Sequence, residues 1–391
     1  MKDEYPDSKS DLFAGFIERC TNLAGPQGTV AMITMQSWMF LSSYEKLRAS
    51  LLSKQRITTM LHLGARAFDS IGGEVVSSTA FTLVNVSPEA RSTARKRAGA
   101  FIRLVDGASE AEKKNALSTA LEVRAKEAGF HVASDVDFTA IPGSPIVYWL
   151  SEKMRAAFRV GKPLGEIVEL LVGLRTGDNG RFIRQWWEVS QDRTMFNCES
   201  LQCAETSGRR WFPYNKGGAF RRWYGNHEHV INWEQDGREI EEGLAERYPY
   251  MVPQGKTLVR GQGRGRYFSP SVSWSDISSG EAAFRRYPHG FIHDSTGHSG
   301  FGDQTTLDQI TLLLNSKFVM EVMKVVAPTL HFHVGYVGLV PVAAGVRELP
   351  TVTIDMLVAT AREDWNATET SWNFVQNPLV PLMLMASGDL D

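Results

Sequence analysis

The sequence predicts an α/β domain at its front, an open sheet covered by helices on both faces, followed by a mixed α+β domain. Three observations carry this. Helix-like and strand-like segments alternate through residues 10–107. The strand-like segments are almost continuously apolar, as strands buried on both faces are. From about residue 160 the texture changes to short aromatic strands between Gly- and Arg-rich loops.

Each element has its own signal. Ser10 and Asp11 are side chains that cap a helix, and Leu12, Phe13, Phe16, Ile17 and Cys20 follow at helical spacing. A Gly-Pro-Gln-Gly turn at 25–28 stops that helix, and 29–36 (TVAMITMQ) is an apolar strand. Ser42 or Ser43 caps a second helix ending at a basic turn. Strands follow at 56–63 and 75–86, and 87–98 is a small, polar, basic surface loop. Residues 101–105 form a short strand and 109–128 a charged helix. After Pro142 and Pro145, the spacing of 146–159 is that of an amphipathic helix. Beyond 160, acids gather in a helix at 236–246, and TIDMLVATAREDW (353–365) reads as a helix.

Composition narrows the class. At 391 residues the chain is long enough for two or three domains with their own cores. Its net charge of −2 excludes a protein coated in positive charge, so any nucleic-acid contact must come from local basic patches. Three cysteines (Cys20, Cys198, Cys203) in so long a chain point to a reducing compartment, and the cytoplasm is the expected location. No secretory signal is visible, and the apolar run 325–346 is interrupted by His, Pro and Gly, so no membrane partner is expected. No metal is expected either. Cys198 and Cys203 are too few alone, and His289, His293 and His298 fit no ligand spacing. His331 and His333 would share one face of a strand as polar packing.

The motifs point to DNA. Residues 209–226 (RRWFPYNKGGAFRRWYGN) hold five Arg or Lys and six aromatics with no acid. Arg forks bind phosphates and guanine edges, and Lys216-Gly217-Gly218 lets backbone N–H groups approach an anion. The competing reading is a hairpin with core aromatics and solvated arginines. GLRTGDNGRF (173–182) projects Arg175, Thr176, Asp178, Asn179 and Arg181, residue types that read bases; equally, it could be a turn held by local Asp and Asn bonds. RGQGRGRYF (260–268) and FRRYPHGF (284–291) are two more basic clusters. No GxGxxG, Walker motif or Ser-His-Asp order is present. The residues alone thus describe a DNA-binding protein with an incomplete α/β domain in front.

Longer stretches carry a resemblance. YPDSKSDLFAGFIERC (5–20), VAMITMQSWMFLSSYEKLR (30–48), HLGARAFDSIGGEVVSSTAF (62–81), IPGSPIVYWLSEK (141–153), GLRTGDNGRF, WFPYNKGGAFRRWYGN (211–226), APTLHF (327–332) and DWNATETSWNF (364–374) occur in that order. Together they resemble the PglX adenine-specific DNA methyltransferases of BREX phage-defence systems, relatives of the fused restriction-modification methyltransferases.

The resemblance implies the C-terminal half of a Rossmann-like class I methyltransferase sheet followed by a target-recognition domain. Residues 1–107 would be the second half of the catalytic domain, 108–160 a helical connector, 161–350 the target-recognition domain and 351–391 the start of a helical C-terminal region. The family's cofactor is S-adenosylmethionine, but its glycine-rich motif and the Asn-Pro-Pro-Tyr loop are missing from this sequence. Both ends are therefore expected to be truncated, and the chain alone inactive. The resemblance places Asp11 as cap of the helix after the catalytic loop and Phe68 as the aromatic that stacks on the flipped adenine; a core role for Phe68 is the other reading. It directs DNA binding to Arg175, Thr176, Asp178, Asn179, Arg181, Lys216, Arg221, Arg222 and Trp223. Expected partners are double-stranded DNA, other proteins of the same system, and a missing N-terminal half. A non-catalytic recognition subunit, a truncated product and a carbohydrate binder are the competing functions.

Overall fold

The computed structural model describes residues 4–70, 76–250, 263–278, 280–327, 331–381 and 383. The chain divides into two compact units, Met1–Val160 and Gly161–Asp391.

In the first unit, helix α1 (Leu12–Leu23) leads into β1 (Thr29–Met35), and α2 (Glu45–Lys54) into β2 (Gln55–Gly64). Then come β3 (Ser78–Asn85), a single exposed turn of helix α3 (Arg91–Ala94) and β4 (Gly99–Arg103). The charged helix α4 (Glu110–Val123) is capped by Ser109, which accepts from Glu112 N. Strand β5 (Phe130–Ala133) and the short helix α5 (Asp135–Thr139) follow. The sheet order is β1-β3-β2-β4-β5. β3 runs antiparallel to both β1 and β2, which makes those two parallel, and β4 is parallel to β2. The sheet is therefore mixed.

Several expectations need correction. The helix expected at 146–159 is α6 (Glu152–Val160) only. Residues Ile146, Val147, Tyr148 and Leu150 instead enter the core as irregular chain. The buried Arg48 fixes this segment, donating to the carbonyls of Gly143, Trp38 and Leu41 at 2.8–2.9 Å. The sheet is also not covered on both faces throughout. One face packs on Ala14, Ile17, Leu47, Leu51 and Tyr148. On the other, Ile102, Leu104 and Ala120 join Leu61, Leu63 and Leu117 under α4, while Ile33 of β1 is 60% exposed. On α1 it is Ala14, Gly15, Ile17 and Thr21 that turn inward, and the expected core residues Leu12 and Phe16 are exposed. Small residues let this helix lie close to the sheet, which decides its rotation.

Among its described residues the second unit carries two four-stranded sheets and one two-stranded sheet. The last pairs β6 (Lys162–Pro163) with β15 (Pro341–Val342). One four-stranded sheet contains β7 (Glu169–Leu171), β11 (Ser271–Ser275), β12 (Arg285–Tyr287) and β14 (Gly297–Phe301), in the order β12-β11-β14-β7. The other contains β8 (Ile183–Gln185), β9 (Trp211–Asn215), β10 (His229–Asn232) and β13 (Ile292–His293), in the order β13-β9-β10-β8. Its helices are α7 (Asn179–Phe182), α8 (Leu201–Thr206), α9 (Glu234–Arg247), α10 (Gln304–Leu314), α11 (Lys317–Val326), α12 (Val334–Val337) and α13 (Thr351–Asn366). Phe182, Phe212, Trp233, Leu244 and Phe268 form the core between the second of these sheets and α9. His333 begins α12 as its N-cap, so His331 and His333 do not share a strand face. No helix among the described residues is long and apolar enough to cross a membrane.

Candidate nucleic-acid interface

The turn at 173–182 is held by its own side chains. Buried Thr176 donates its hydroxyl to Asn179 Oδ1 at 2.6 Å, and Asp178 caps α7 by accepting from Arg181 N at 3.0 Å. Three residues expected to read bases thus also build the turn. Gly177 is left-handed, with φ 73°, and a Cβ there would come within 2.5 Å of Leu244 on α9. Arg247 donates to its carbonyl. This arrangement presents Arg175 and Arg181 to solvent. Among the described residues neither pairs with a carboxylate, and the Arg181 guanidinium lies 5.0 Å over the Phe182 ring.

Lys216 joins this turn through an acid that sequence reasoning missed. Asp294, 3% exposed, accepts from Tyr214 Oη at 2.7 Å and from Thr296 N at 2.7 Å, and Lys216 Nζ lies 3.4 Å away. Leu174 pairs with Asp294 in a parallel bridge, so the turn and Lys216 meet around one carboxylate. Burial first, and the charge of Asp294 second, push the Tyr214 hydroxyl well above its ordinary range, so it remains a donor. Nothing in the string HDST marks this residue; only its burial does.

Arg221, Arg222 and Trp223 lie on a separate loop and are tied up. Arg222 is 2.8 Å from Glu281, and Arg221 is 3.7 Å from Asp364 with its guanidinium 4.9 Å over Trp365. Trp223, at φ 73°, donates from its N–H to Phe284 O and accepts from Arg286 N. The remaining basic clusters are paired as well. In FRRYPHGF, Arg285 is 1% exposed and Arg286 is 3.0 Å from Asp308, so this cluster is core rather than surface. In RGQGRGRYF, Arg264 pairs with Asp236 and Arg266 with Glu169; residues 260–262 lie outside the described residues. Pairing answers a physical requirement: a guanidinium removed from water needs a carboxylate or carbonyls around it.

In the first unit, Asp11 occupies the N-cap position of α1 with extended backbone, and its carboxylate makes no cap hydrogen bond. Phe68 is half-buried on the loop after β2. That loop is held to the start of α4, where Asp69 N donates to Glu110 Oε1 at 2.8 Å and Glu110 N to Asp69 Oδ1 at 3.0 Å. The carboxyl ends of the parallel strands gather Gln36, His62 and Arg103. The Nε2–H of His62 donates to Gln36 Oε1 at 2.8 Å, and its Nδ1 accepts from Tyr148 Oη at 3.0 Å. Burial, then the charges of Arg103 and Lys113, lower His62 to about 3, so it is neutral. These strand ends are filled by that network together with Phe40 and Trp149. The described residues provide no glycine-rich loop there to cradle S-adenosylmethionine, and they do not fit that cofactor.

Two of the histidines share one acid. Asp276 lies 3.2 Å from His298 and 3.3 Å from His331. Among the described residues no group of three or more His, Cys, Asp or Glu is placed to hold a metal ion.

Comparison with known proteins fits this picture. Residues 1–68 match the family model of the Eco57I restriction-modification methylase. The adenine-specific methyltransferase PglX of Lacticaseibacillus casei (strain Zhang) is 38% identical over 96% of this chain and 30% of its own length. The adenine-specific methyltransferase BrxX of Escherichia coli O9:H4 (strain HS) is 35% identical over 97% of this chain and 29% of its own. A solved structure, a nuclease-deletion mutant of the Type ISP restriction-modification enzyme LlaGI in complex with a DNA substrate mimic, is 11% identical at TM-score 0.43. It covers 94% of this chain and 32% of its own, a likeness too low to argue from. Along nearly its whole length the chain is homologous to the adenine-specific methyltransferases PglX and BrxX, over a stretch equal to about 30% of theirs.

Proposed function

We propose that this chain is the DNA-recognition and later-sheet portion of a site-specific DNA adenine-N6 methyltransferase of a phage-defence (BREX) system. The observation that carries the reading is the ordered similarity to two adenine-specific methyltransferases across 96–97% of the chain. Arg175 and Arg181, outward on a locked turn and without a carboxylate partner among the described residues, supply the chemistry. Each can bond a phosphate or a guanine edge without first breaking an ion pair. Lys216 adds a cation beside them, steadied by Asp294. Thr176, Asp178 and Asn179 orient the turn, with the outer amide of Asn179 left to meet a base edge. Arg221, Arg222 and Trp223 support the loop, and a DNA contact there requires opening pairs to Glu281 and Asp364.

Transfer from S-adenosylmethionine to adenine N6 belongs to the whole enzyme. Phe68 is offered as the platform for the extruded base, since an adenine inside the stack cannot reach a methyl donor. Without a glycine-rich cofactor loop among its described residues, the chain alone does not methylate. A methyl-adenine signal from the purified chain and cofactor would refute that.

Fluorescence anisotropy with a mixed-sequence duplex across a salt series tests the recognition role. Binding should weaken steeply with salt, and Arg175→Ala/Arg181→Ala should weaken it about tenfold and flatten the slope by about one to two phosphates. Arg221→Ala/Arg222→Ala should weaken it less. A folded chain indifferent to DNA at low salt would sink the reading and leave the carbohydrate or inert-fragment alternatives.

A further inference from the structure

The first unit contains a cavity of about 540 Å³ that the recognition reading does not use. It opens at the carboxyl end of β4, the side of a parallel pair where ligands of open α/β sheets sit. Arg103, the last residue of β4, lies 5.3 Å over the ring of Trp149, and both line the cavity. Lys126 and His131 line it too. Among the described residues neither the Arg103 nor the Lys126 side chain has a carboxylate or a hydrogen-bond partner. His131, on β5, is only 9% exposed and packs edgewise on Tyr148 at 5.3 Å. Neither of its ring nitrogens has a hydrogen-bond partner among the described residues.

The ring nitrogens of His131 keep access to the cavity, where a ligand oxygen can reach them. Arg103 is half-buried and Lys126 exposed, and neither side chain is neutralised by a carboxylate among the described residues. Asp106 and Glu127 also line the cavity, but the charges that bear on His131 are those of Lys126 and Arg103, which keep it below its ordinary value after burial. Three converging donors suit an anion with several oxygens, and a guanidinium fork matches phosphate. The volume is that of a small-molecule site, and Trp149 offers an aromatic wall.

We propose that this cavity binds a nucleotide phosphate, with Arg103, Lys126 and His131 bonding its oxygens and Trp149 flanking the attached ring. Asp106 and Glu127 then accept from the sugar hydroxyls or an exocyclic amine. The phosphate comes either from a DNA strand or from a free nucleotide. This site is independent of the recognition turn, which belongs to the other unit.

The test is 19F NMR of the whole chain labelled with 5-fluorotryptophan, in which Trp149→Phe identifies one resonance. Adenosine monophosphate, a short single strand and inorganic phosphate are titrated at fixed ionic strength. The Trp149 signal should move saturably, and Arg103→Gln/Lys126→Gln should require about tenfold more ligand. Movement with the strand alone assigns the phosphate to DNA; movement with the mononucleotide assigns it to a free nucleotide. A Trp149 signal that ignores both overturns the proposal, as does one that responds to inorganic phosphate only. If the double variant fails to fold, Lys126→Gln at the exposed position carries the comparison. Failure of duplex recognition would appear separately, in the anisotropy.

Discussion

At the scale of single residues, burial decides what a charged side chain does. Arg48 and Arg175 are chemically identical, yet Arg48 is 2% exposed and clamps three carbonyls, while Arg175 points to solvent. Replacing Arg48 by Met keeps much of the volume but leaves those carbonyls unmatched. It should destabilise the first unit by about 3 kcal/mol or more, read by urea denaturation. An unchanged midpoint would show that water reaches the site. The same rule explains the uneven legibility of the site. Arg175 and Arg181 could be read from the sequence as projecting from a glycine-flanked turn. That Arg222 faces Glu281, and that Asp294 gathers Tyr214, Thr296 and Lys216, could not, because these partners are 59 and 78–80 positions apart or hidden in an unremarkable tetrapeptide.

At the scale of elements, local pattern and tertiary packing agree for the strands and part company for some helices. The apolar runs at 29–36 and 56–63 became β1 and β2 nearly to the residue, although burial alternates along each strand rather than being continuous as their apolar composition suggested. The amphipathic spacing at 146–159 mattered less than Arg48 and the Tyr148 ring, stacked 4.9 Å from Phe101, which pull 146–150 into the core. The recognition turn depends on one glycine. Gly177→Ala combines a left-handed φ with a clash against Leu244, and should cost about 1–3 kcal/mol and lower duplex affinity. Gly265→Ala, with open space around its Cβ position, is the control. Equal effects from the two would show that the turn is not so constrained.

At the scale of the whole molecule, two units with separate cores should melt as separable events, and buried titratable groups tell them apart. In the first unit, burial raises Asp135 to about 7 from its ordinary 3.8. Between these values the folded chain holds a proton that the unfolded chain has lost, so this group's contribution to stability falls as pH rises from about 4 to 7. His227 and His293 in the second unit act in the opposite direction. Burial lowers each to about 3, whereas an unfolded imidazole protonates near 6.5, so stability is lost as pH falls from 6.5 towards 3. His62 does the same in the first unit. Asp135→Asn should therefore raise one calorimetric transition by about 5 °C at pH 8, with a smaller gain at pH 5 and the other transition unmoved. Equal gains at both pH values would refute a buried carboxyl with a raised pKa.

The sequence by itself determined the α/β front, the two sheet-forming apolar strands, the change of texture near residue 160, and the homology with adenine-specific methyltransferases. Each of these rests on local spacing or on ordered motifs, which need no knowledge of distant contacts. Only the tertiary structure decided that β3 runs antiparallel between β1 and β2, that FRRYPHGF is core, and which arginines lack a carboxylate partner among the described residues. Strand direction and ion pairing are set by residues far apart in the chain, and a charge's availability is whatever its neighbours leave unsatisfied.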